Sequence, residues 1–434
     1  SIYSEPTNGM DLYLTIDYDI QSSIERELNN VMDKYNADGA WAIVMNPNNG
    51  EILGLASKPD FDPNNYKKFS IEEINRNLAI FSTYEPGSTF KIITLAASIE
   101  EKTVDILNDT FTDSGSINVD GARIKCWRHG GHGTQTYLQV VQNSCNPGFV
   151  SLGQKLGKER LFSYIENFGF GKKTGIDLNG EENGILFSLS RVGPVELATS
   201  SFGQGISVTA IQQITAVSAA INGGNLYKPY VVKRIVEPNT KEIIKENKPT
   251  IVRKVISNET SQTVRMALET VVAYGTGRNA YIEGYRVGGK TGTAQKVKNG
   301  AYLPSNYIVS FIGFLPADNP QAVVYVAVDN PKGITQYGGT VSAPIAKSIM
   351  KDIISKLNIE KSDYTLEKKY QWFDEKYYAI PNIVGLSKKE AIKLLKNFNI
   401  EYTGSGEYVK SVSPSEGTIL KEYSTVRILL TNDN

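Results

Sequence analysis

Tyr84-Glu85-Pro86-Gly87-Ser88-Thr89-Phe90-Lys91 (YEPGSTFK, 84–91) runs without interruption into IITLAASI (92–99), whose apolar residues recur at helical spacing. The Pro86-Gly87 break followed by that period predicts a helix starting near Ser88. Ser88 and Lys91 then share one helical face, a turn apart. A serine hydroxyl is unreactive at its own pKa and needs a base within hydrogen-bond reach. The start of a helix adds positive potential and free backbone N–H groups that can hold an oxyanion. Lys91 serves as that base only when neutral, a state that burial or neighbouring cations impose.

Working upstream from this stretch, residues 11–17 (DLYLTID) read as a strand, and Ile20, Ile24, Leu28 and Val31 recur at helical spacing. Two apolar runs, 40–45 and 51–57, flank NPNNG (46–50), whose Asn49-Gly50 pair signals a hairpin. Downstream, 206–221 is an apolar segment broken by Thr209, Gln212 and Gln213 and closed by Asn222-Gly223-Gly224. That pattern is a buried helix, not a membrane span. Residues 285–297, 307–315 and 322–329 read as three successive strands, and 342–357 as a last long helix. Helices enclosed between early and late strands predict an α+β domain over 11–357, after a polar lead-in at 1–10. Residues 358–376 are charged, Tyr-rich and without apolar period, and are expected to be a linker. A compact module follows at 377–434, with a helix at 388–398 and strands at 407–413 and 425–430.

The 434 residues are 40% apolar and 21% charged, enough for a large core and against global disorder. Lys+Arg and Asp+Glu balance at 46 each, which argues against nucleic acid as a partner. No stretch approaches the roughly 18 consecutive apolar residues of a membrane span. The chain begins at Ser1 rather than Met, as a processed or cut chain does, with any signal or anchor upstream of it. Cysteine and histidine number two each, and all four fall within 126–145: Cys126, His129, His132 and Cys145. A disulfide-rich scaffold and general reliance on histidine chemistry are both excluded.

One SxxK string is a weak signal, and Ser348-Ile349-Met350-Lys351 is a second copy inside the last long helix. Two further triplets add chemistry. Ser144-Cys145-Asn146 supplies a hydroxyl able to relay a proton and an amide able to orient a carbonyl. Lys290-Thr291-Gly292-Thr293, on a predicted strand, offers a cation and hydroxyls for a carboxylate, with Gly292 permitting close backbone approach. Decoys exist for both: Ser116-Ile117-Asn118 in a predicted strand beside Asp120-Gly121, and Lys173-Thr174-Gly175 in a glycine-rich loop.

SxxK, SxN and KTG with a following hydroxyl residue, in that order, resemble the penicillin-recognising serine acyl-transferases. LTIDYDIQ (14–21), YEPGSTFK (84–91), CWRHGGHG (126–133), NSCN (143–146), SFGQGISVTAIQ (201–212) and GGKTGTAQK (288–296) are similar to class B penicillin-binding proteins, the monofunctional peptidoglycan transpeptidases. The similarity spans about 9–356. IPNIVGLSKKEA (380–391) and VSPSEGTIL (412–420) resemble a PASTA module, and one such tail is similar to the sporulation type that builds spore-cortex peptidoglycan.

The resemblance implies an antiparallel sheet flanked by helices with a helical subdomain, like the serine β-lactamases, followed by a small α+β PASTA domain. It implies Ser88 as acylated nucleophile, Lys91 as its base, Ser144 as proton relay and Asn146 as ligand of the substrate amide. Lys290, Thr291 and Thr293 would bind the carboxylate of substrate or antibiotic, and the N–H groups of Ser88 and Thr293 would form the oxyanion hole. Stem peptides ending in D-Ala-D-Ala would be the substrates and β-lactams the inhibitors, with no cofactor for acyl transfer. A glycan-polymerising partner is expected, because no glycosyltransferase motif is present. The place would be the extracytoplasmic face of the membrane, held by an N-terminal anchor absent from this chain, or the forespore envelope. The rival readings are a β-lactam or muropeptide sensor without turnover, and a carboxypeptidase or β-lactamase-type hydrolase. Against a class A β-lactamase, the single ExxLN string, 25–29, precedes the nucleophile. The tail shows only Tyr402 and Tyr408 as aromatic candidates for a ligand.

Three states compete at the cysteines. A zinc ion would take Cys126, Cys145 and one histidine, with a carboxylate or water as fourth ligand. His129 is preferred to His132, and a hairpin closed at Asp120-Gly121 would bring Asp113 opposite 126–128. A Cys126–Cys145 disulfide and two free buried thiols are the other states. Metal or disulfide would tether the SxN loop to the hairpin before it.

Overall fold

The computed structural model describes residues 6–369 and 377–433. It divides into two units, Ser1–Lys369 and Tyr370–Asn434. In the first, the elements that position the site are, in chain order, helix α1 (Tyr18–Tyr35), strands β1 (Gly39–Met45) and β2 (Ile52–Lys58), helices α2 (Lys91–Glu100), α3 (Ala210–Ile221) and α4 (Asn258–Tyr274), strands β3 (Gly288–Lys298), β4 (Ala301–Leu315) and β5 (Ala322–Asp329), and helix α5 (Gly338–Leu357).

The five strands form one antiparallel sheet in the order β3-β4-β5-β1-β2. Late and early chain therefore meet at its centre, where Val324 pairs with Val44 and Val328 with Ala40. Side chains alternate across a strand. Trp41, Ile43 and Met45 join a core with α2, α3 and α4, whereas Ala40, Ala42 and Val44 join a second core with α1 and α5. Because both faces are covered, β1 is buried along its length, and its sequence reads as one apolar run. The helix at Ile20, Ile24, Leu28 and Val31 forms as expected, started by Asp17, whose carboxylate accepts from the N–H groups of Asp19 and Ile20.

Several boundaries differ from expectation for identifiable reasons. Thr209 and Gln212, read as interruptions of a helix over 206–221, are its start: Thr209 Oγ1 accepts from Gln212 N at 3.2 Å, and Gln212 Oε1 from Thr209 N at 3.0 Å. This capping box sets the helix at Ala210. Strand β4 begins at Ala301 rather than 307, because the β3–β4 hairpin continues past the sheet, with Lys298 paired to Ala301. Residues 358–369, expected to belong to a linker, lie on the first unit. Ser362 N donates to Gly284 O, Lys369 N to Ala273 O and Tyr281 Oη to Leu366 O. These bonds reach backbone atoms, so the polar composition of the segment gave no sign of them. The rest of the expected linker, 370–376, and residues 1–5 of the lead-in lie outside the described residues.

In the second unit, Thr425–Thr431 is the central strand, parallel to Asn399–Gly404 and antiparallel to Tyr408–Ser413. Helix Lys388–Leu394 is shorter than the expected 388–398. Ile383, Ala391, Leu395, Val426 and Ile428 form a small core of their own. The sequence reading missed strand Asn399–Gly404, a short and mostly exposed run in which Ile400 and Tyr402 nonetheless alternate with polar residues.

Candidate active site

The expected helix start at Ser88 is a 3-10 turn, Gly87–Phe90, leading into α2. In such a turn, side chains at i and i+3 eclipse, so Ser88 and Lys91 line up along one edge. Gly87 stands at φ +61, and a Cβ there would lie 3.1 Å from Ala294 Cβ. Glycine is what lets the nucleophile turn rest against β3. Gly292 acts similarly from the other side, since a Cβ would meet Ser310 Oγ and Thr89 Cγ2. The close approach Gly292 permits is thus between β3 and the protein's own nucleophile turn, not only toward a substrate.

Lys91, 1% exposed, donates from Nζ to Ser144 O at 2.8 Å and Asn146 Oδ1 at 2.7 Å, with Ser144 Oγ at 3.0 Å. Lys290, fully buried, donates to Ser144 Oγ at 2.8 Å and to Thr291 O at 3.2 Å. Ser144 therefore sits between two lysines. Its backbone is left-handed, φ +52, and this uncommon conformation presents both its carbonyl and its hydroxyl to Lys91. Among the described residues no hydrogen bond joins Ser88 Oγ to Lys91 Nζ; the amine is directed at the SxN segment.

Burial brings the Lys91 ammonium down to about 7, against the opposing pull of negative charge at Cys145 and Cys126. Burial also drives Lys290 well below its usual range, helped by repulsion from Lys91. Two ammonium groups in one dry pocket are costly, so near neutrality one of them gives up its proton. The three acceptors around Lys91 suit an ammonium. A neutral amine fits equally by donating two hydrogen bonds and accepting one from the Ser144 hydroxyl. A general base must tolerate both states.

Thr291 and Thr293 are each oriented from outside their strand. Thr291 Oγ1 lies 2.9 Å from Thr276 Oγ1, and Thr293 Oγ1 accepts from Gly338 N at 3.1 Å at the start of α5. The decoy strings are elsewhere and otherwise engaged. Ser348 Oγ donates to Glu27, Thr174 bonds to Glu181, and Ser116 lies in the hairpin that pairs with Ala122–Lys125. Glu25 is exposed on α1, which packs on the sheet face opposite α2.

The cysteines and one histidine converge. Asp113, Cys126, His132 and Cys145 each offer a ligand atom, and these lie within 4.8 Å of one another. His132 Nδ1 is 2.9 Å from Asp113 Oδ2 and 3.3 Å from Cys126 Sγ, and Cys145 Sγ is 3.4 Å from Asp113 Oδ2. The expected preference for His129 is corrected to His132. After the hairpin closes with Cys126 N bonded to Gly115 O, the chain turns back at Gly130-Gly131, and His132 N donates to Asp113. Both cysteines are free. Burial works against the Asp113 carboxylate, but hydrogen bonds from Cys126, His132, Gly115 N and Cys145 outweigh it and hold the acid at about 2. The bond from Cys145, aided by His132, brings the Cys126 thiol to about 6 despite burial. The same coupling, with burial, pushes Cys145 up.

Sequence reasoning missed three neighbours of the site. Glu85 accepts from Gly205 N at 2.9 Å and from Tyr302 Oη at 3.1 Å, tying the nucleophile turn to segment 201–205 and to β4. Trp127, 56% exposed, donates from Nε1 to Asn143 O beside Ser144. Thr276 lies in a Gly275-Thr276-Gly277 loop whose glycines were the only hint of close packing.

A helix-covered antiparallel sheet, with a lysine-bearing helix start, an SxN turn and a KTGT strand in one cleft, defines the class of penicillin-recognising serine acyl-transferases. Residues 40–351 match the penicillin binding protein transpeptidase domain and 378–432 the PASTA domain, and the chain belongs to the penicillin-binding protein transpeptidase family, with a C-terminal PASTA domain. It is 58% identical over 432 residues to stage V sporulation protein D of Bacillus subtilis, covering 100% of this chain and 67% of that protein. It is 31% identical over 389 residues to a peptidoglycan D,D-transpeptidase FtsI homolog of Mesostigma viride, covering 84% of this chain and 64% of that one. The chain thus spans about two thirds of the length of these relatives. Penicillin binding protein 3 from Mycobacterium tuberculosis, complexed with ampicillin, superposes with a TM-score of 0.78 at 30% identity, covering 86% of this chain and 84% of that one. The aztreonam complex gives 0.77 at the same identity and coverage.

Proposed function

We propose that this chain cross-links peptidoglycan stem peptides by two-step acyl transfer, in spore-cortex synthesis. The observation that carries the chemistry is the Lys91–Ser144–Lys290 relay beside the Ser88 turn. Ser88 Oγ attacks the carbonyl of the D-Ala-D-Ala bond as its proton passes to neutral Lys91. Ser144, between the lysines, returns a proton to the departing D-Ala amine, and Ser88 holds the acyl group as an ester. A second stem's amine then attacks that ester, its proton passes through neutral Lys91 to the Ser88 oxygen, and the C–O bond breaks to give the new amide and free Ser88. The Asn146 amide orients the substrate, and Lys290, Thr291 and Thr293 hold the donor carboxylate. The Ser88 N–H, in the first turn where donors lack intrahelical partners, pairs with the Thr293 N–H around the oxyanion. The likeness to stage V sporulation protein D supports the cortex role. On this reading the enzyme works outside the cytoplasmic membrane with a separate glycan-polymerising partner. The N-terminal anchor expected there is not supplied by any helix among the described residues.

Incubating the chain with a donor stem peptide and an amine acceptor should release D-Ala and form a joined product in equal amounts. Acylation by penicillin without such turnover would instead favour a sensor. The pH dependence follows from Lys91. With the active form neutral and its proton lost near 7, the acylation rate should rise about tenfold from pH 6 to 8 and then level off. A stopped-flow profile flat across that range would remove Lys91 as the base.

We infer further that Asp113, Cys126, His132 and Cys145 hold a structural zinc ion. Bonds of about 2.0–2.3 Å in a tetrahedron place donor atoms roughly 3.3–3.8 Å apart. Three of the cluster's separations are 2.9–3.4 Å and all of its ligand atoms lie within 4.8 Å of one another, so modest side-chain shifts bring them to that spacing. Four protein ligands leave no open position, so the ion would fasten the Ser144 turn to the hairpin and take no part in acyl transfer.

A further inference from the structure

We propose that Thr276 is a positioning residue that turns the Thr291 hydroxyl proton toward the carboxylate of the acyl donor. This rests on the reading that Ser88 is acylated and that the 290–293 strand holds the donor carboxylate. A hydroxyl carries one proton and can accept two hydrogen bonds. To bind an anion, Thr291 must donate, so its lone pairs need a donor from the protein side. Thr276 Oγ1, at 2.9 Å, is the partner the structure provides. With an anion in place, the favoured arrangement is a series, Thr276 to Thr291 to carboxylate, in which each bond polarises the next. Gly338 N–H does the same for Thr293, committing its oxygen as acceptor and leaving its proton for a ligand. The two hydroxyls of the strand are thus set by one logic from two different elements.

The loop carrying Thr276 is fixed to the catalytic segments, as a positioning group requires. Thr276 N donates to Gln142 O at 3.0 Å, at the end of the helix that leads into Asn143 and Ser144. Gly275 packs so closely on Gln142 that a Cβ would strike its carbonyl oxygen. Arg278 donates to the carbonyls of Tyr274 and Gly275, and Asn279 Nδ2 to Gly339 O at 2.8 Å beside the start of α5. The Thr276 hydroxyl therefore keeps one position relative to both Ser144 and Thr291.

The test compares benzylpenicillin with its methyl ester, which lacks the carboxylate, on Thr276→Val, an isosteric change, and Thr276→Ser. Thr276→Val should slow acylation by the acid about tenfold, the size of one misdirected hydrogen bond to a charged group, and change the ester rate less than about twofold. Thr276→Ser should restore the acid rate. Thr276→Ala, which cannot clash, should repeat the acid-only loss even if the valine destabilises the loop. An unchanged acid rate in the valine and alanine variants, or equal slowing of acid and ester, overturns the proposal. If the wild-type chain is not acylated by the acid at all, the Ser88 reading has failed instead.

Discussion

In Ser88→Ala, exposure to benzylpenicillin is expected to leave the intact mass unchanged, and D-Ala release from a stem peptide should fall by on the order of 10⁴-fold or more. The size follows from what is removed. Among the described residues the side chains of Lys91 and Lys290 bond to Ser144 and not to the Ser88 hydroxyl, so their arrangement survives the substitution while the atom that forms the ester is gone. The one other hydroxyl in the relay, on Ser144, is 6% exposed and already lies between two amines. It can move protons, but a carbonyl carbon has little room to reach it. An acyl adduct persisting at Ser144 in this variant would relocate the nucleophile and undo the assignment. Loss of the adduct together with full retention of D-Ala release would separate antibiotic binding from turnover and break the acyl-enzyme mechanism.

The order of the three motifs was legible because each needs particular side chains, and a sequence displays side chains directly. So were α1, the β1–β2 hairpin and α5, whose periods or turn residues persist under burial. What stayed hidden was set by backbone conformation or by contacts distant in sequence. Nothing in Asn143-Ser144-Cys145 announces that Ser144 is left-handed. The choice of His132 over His129 depends on a reversal at Gly130-Gly131, which moves one imidazole onto Asp113 and carries the other past it. Thr276 is far from Thr291 in the chain, and only the packing of the α4–β3 connection on Gln142 brings their hydroxyls together. Thr209 and Gln212 were visible but misread, since polar residues that interrupt an apolar run are also what a helix needs to begin.

The second large effect concerns the metal. The chain as purified is expected to carry about one zinc per molecule, and His132→Ala to lose it while His129→Ala keeps it. The physical case is one of charge. Asp113 is ionised and the Cys126 thiol is acidified, so two anionic groups lie within 4.8 Å of a buried second thiol. A divalent ion offsets most of that negative charge and takes both thiols as thiolates, a charge the protein otherwise balances through His132 and the nearby Lys91 ammonium. Without the ion, several kcal/mol of folding free energy would be lost, and the melting temperature should drop by ~5 °C. Catalysis suffers too. Cys145 adjoins Ser144, whose left-handed turn aims it at both lysines, and a loosened turn misplaces the relay. Acylation by benzylpenicillin should therefore slow about tenfold in His132→Ala and after chelation, and recover in the chelated wild type when zinc returns. Mass spectrometry for the metal, thermal melts and acylation rates on the same preparations check each step. Full stability in a zinc-free wild type, or equal metal loss from both histidine variants, would show that the four side chains are only a buried polar cluster.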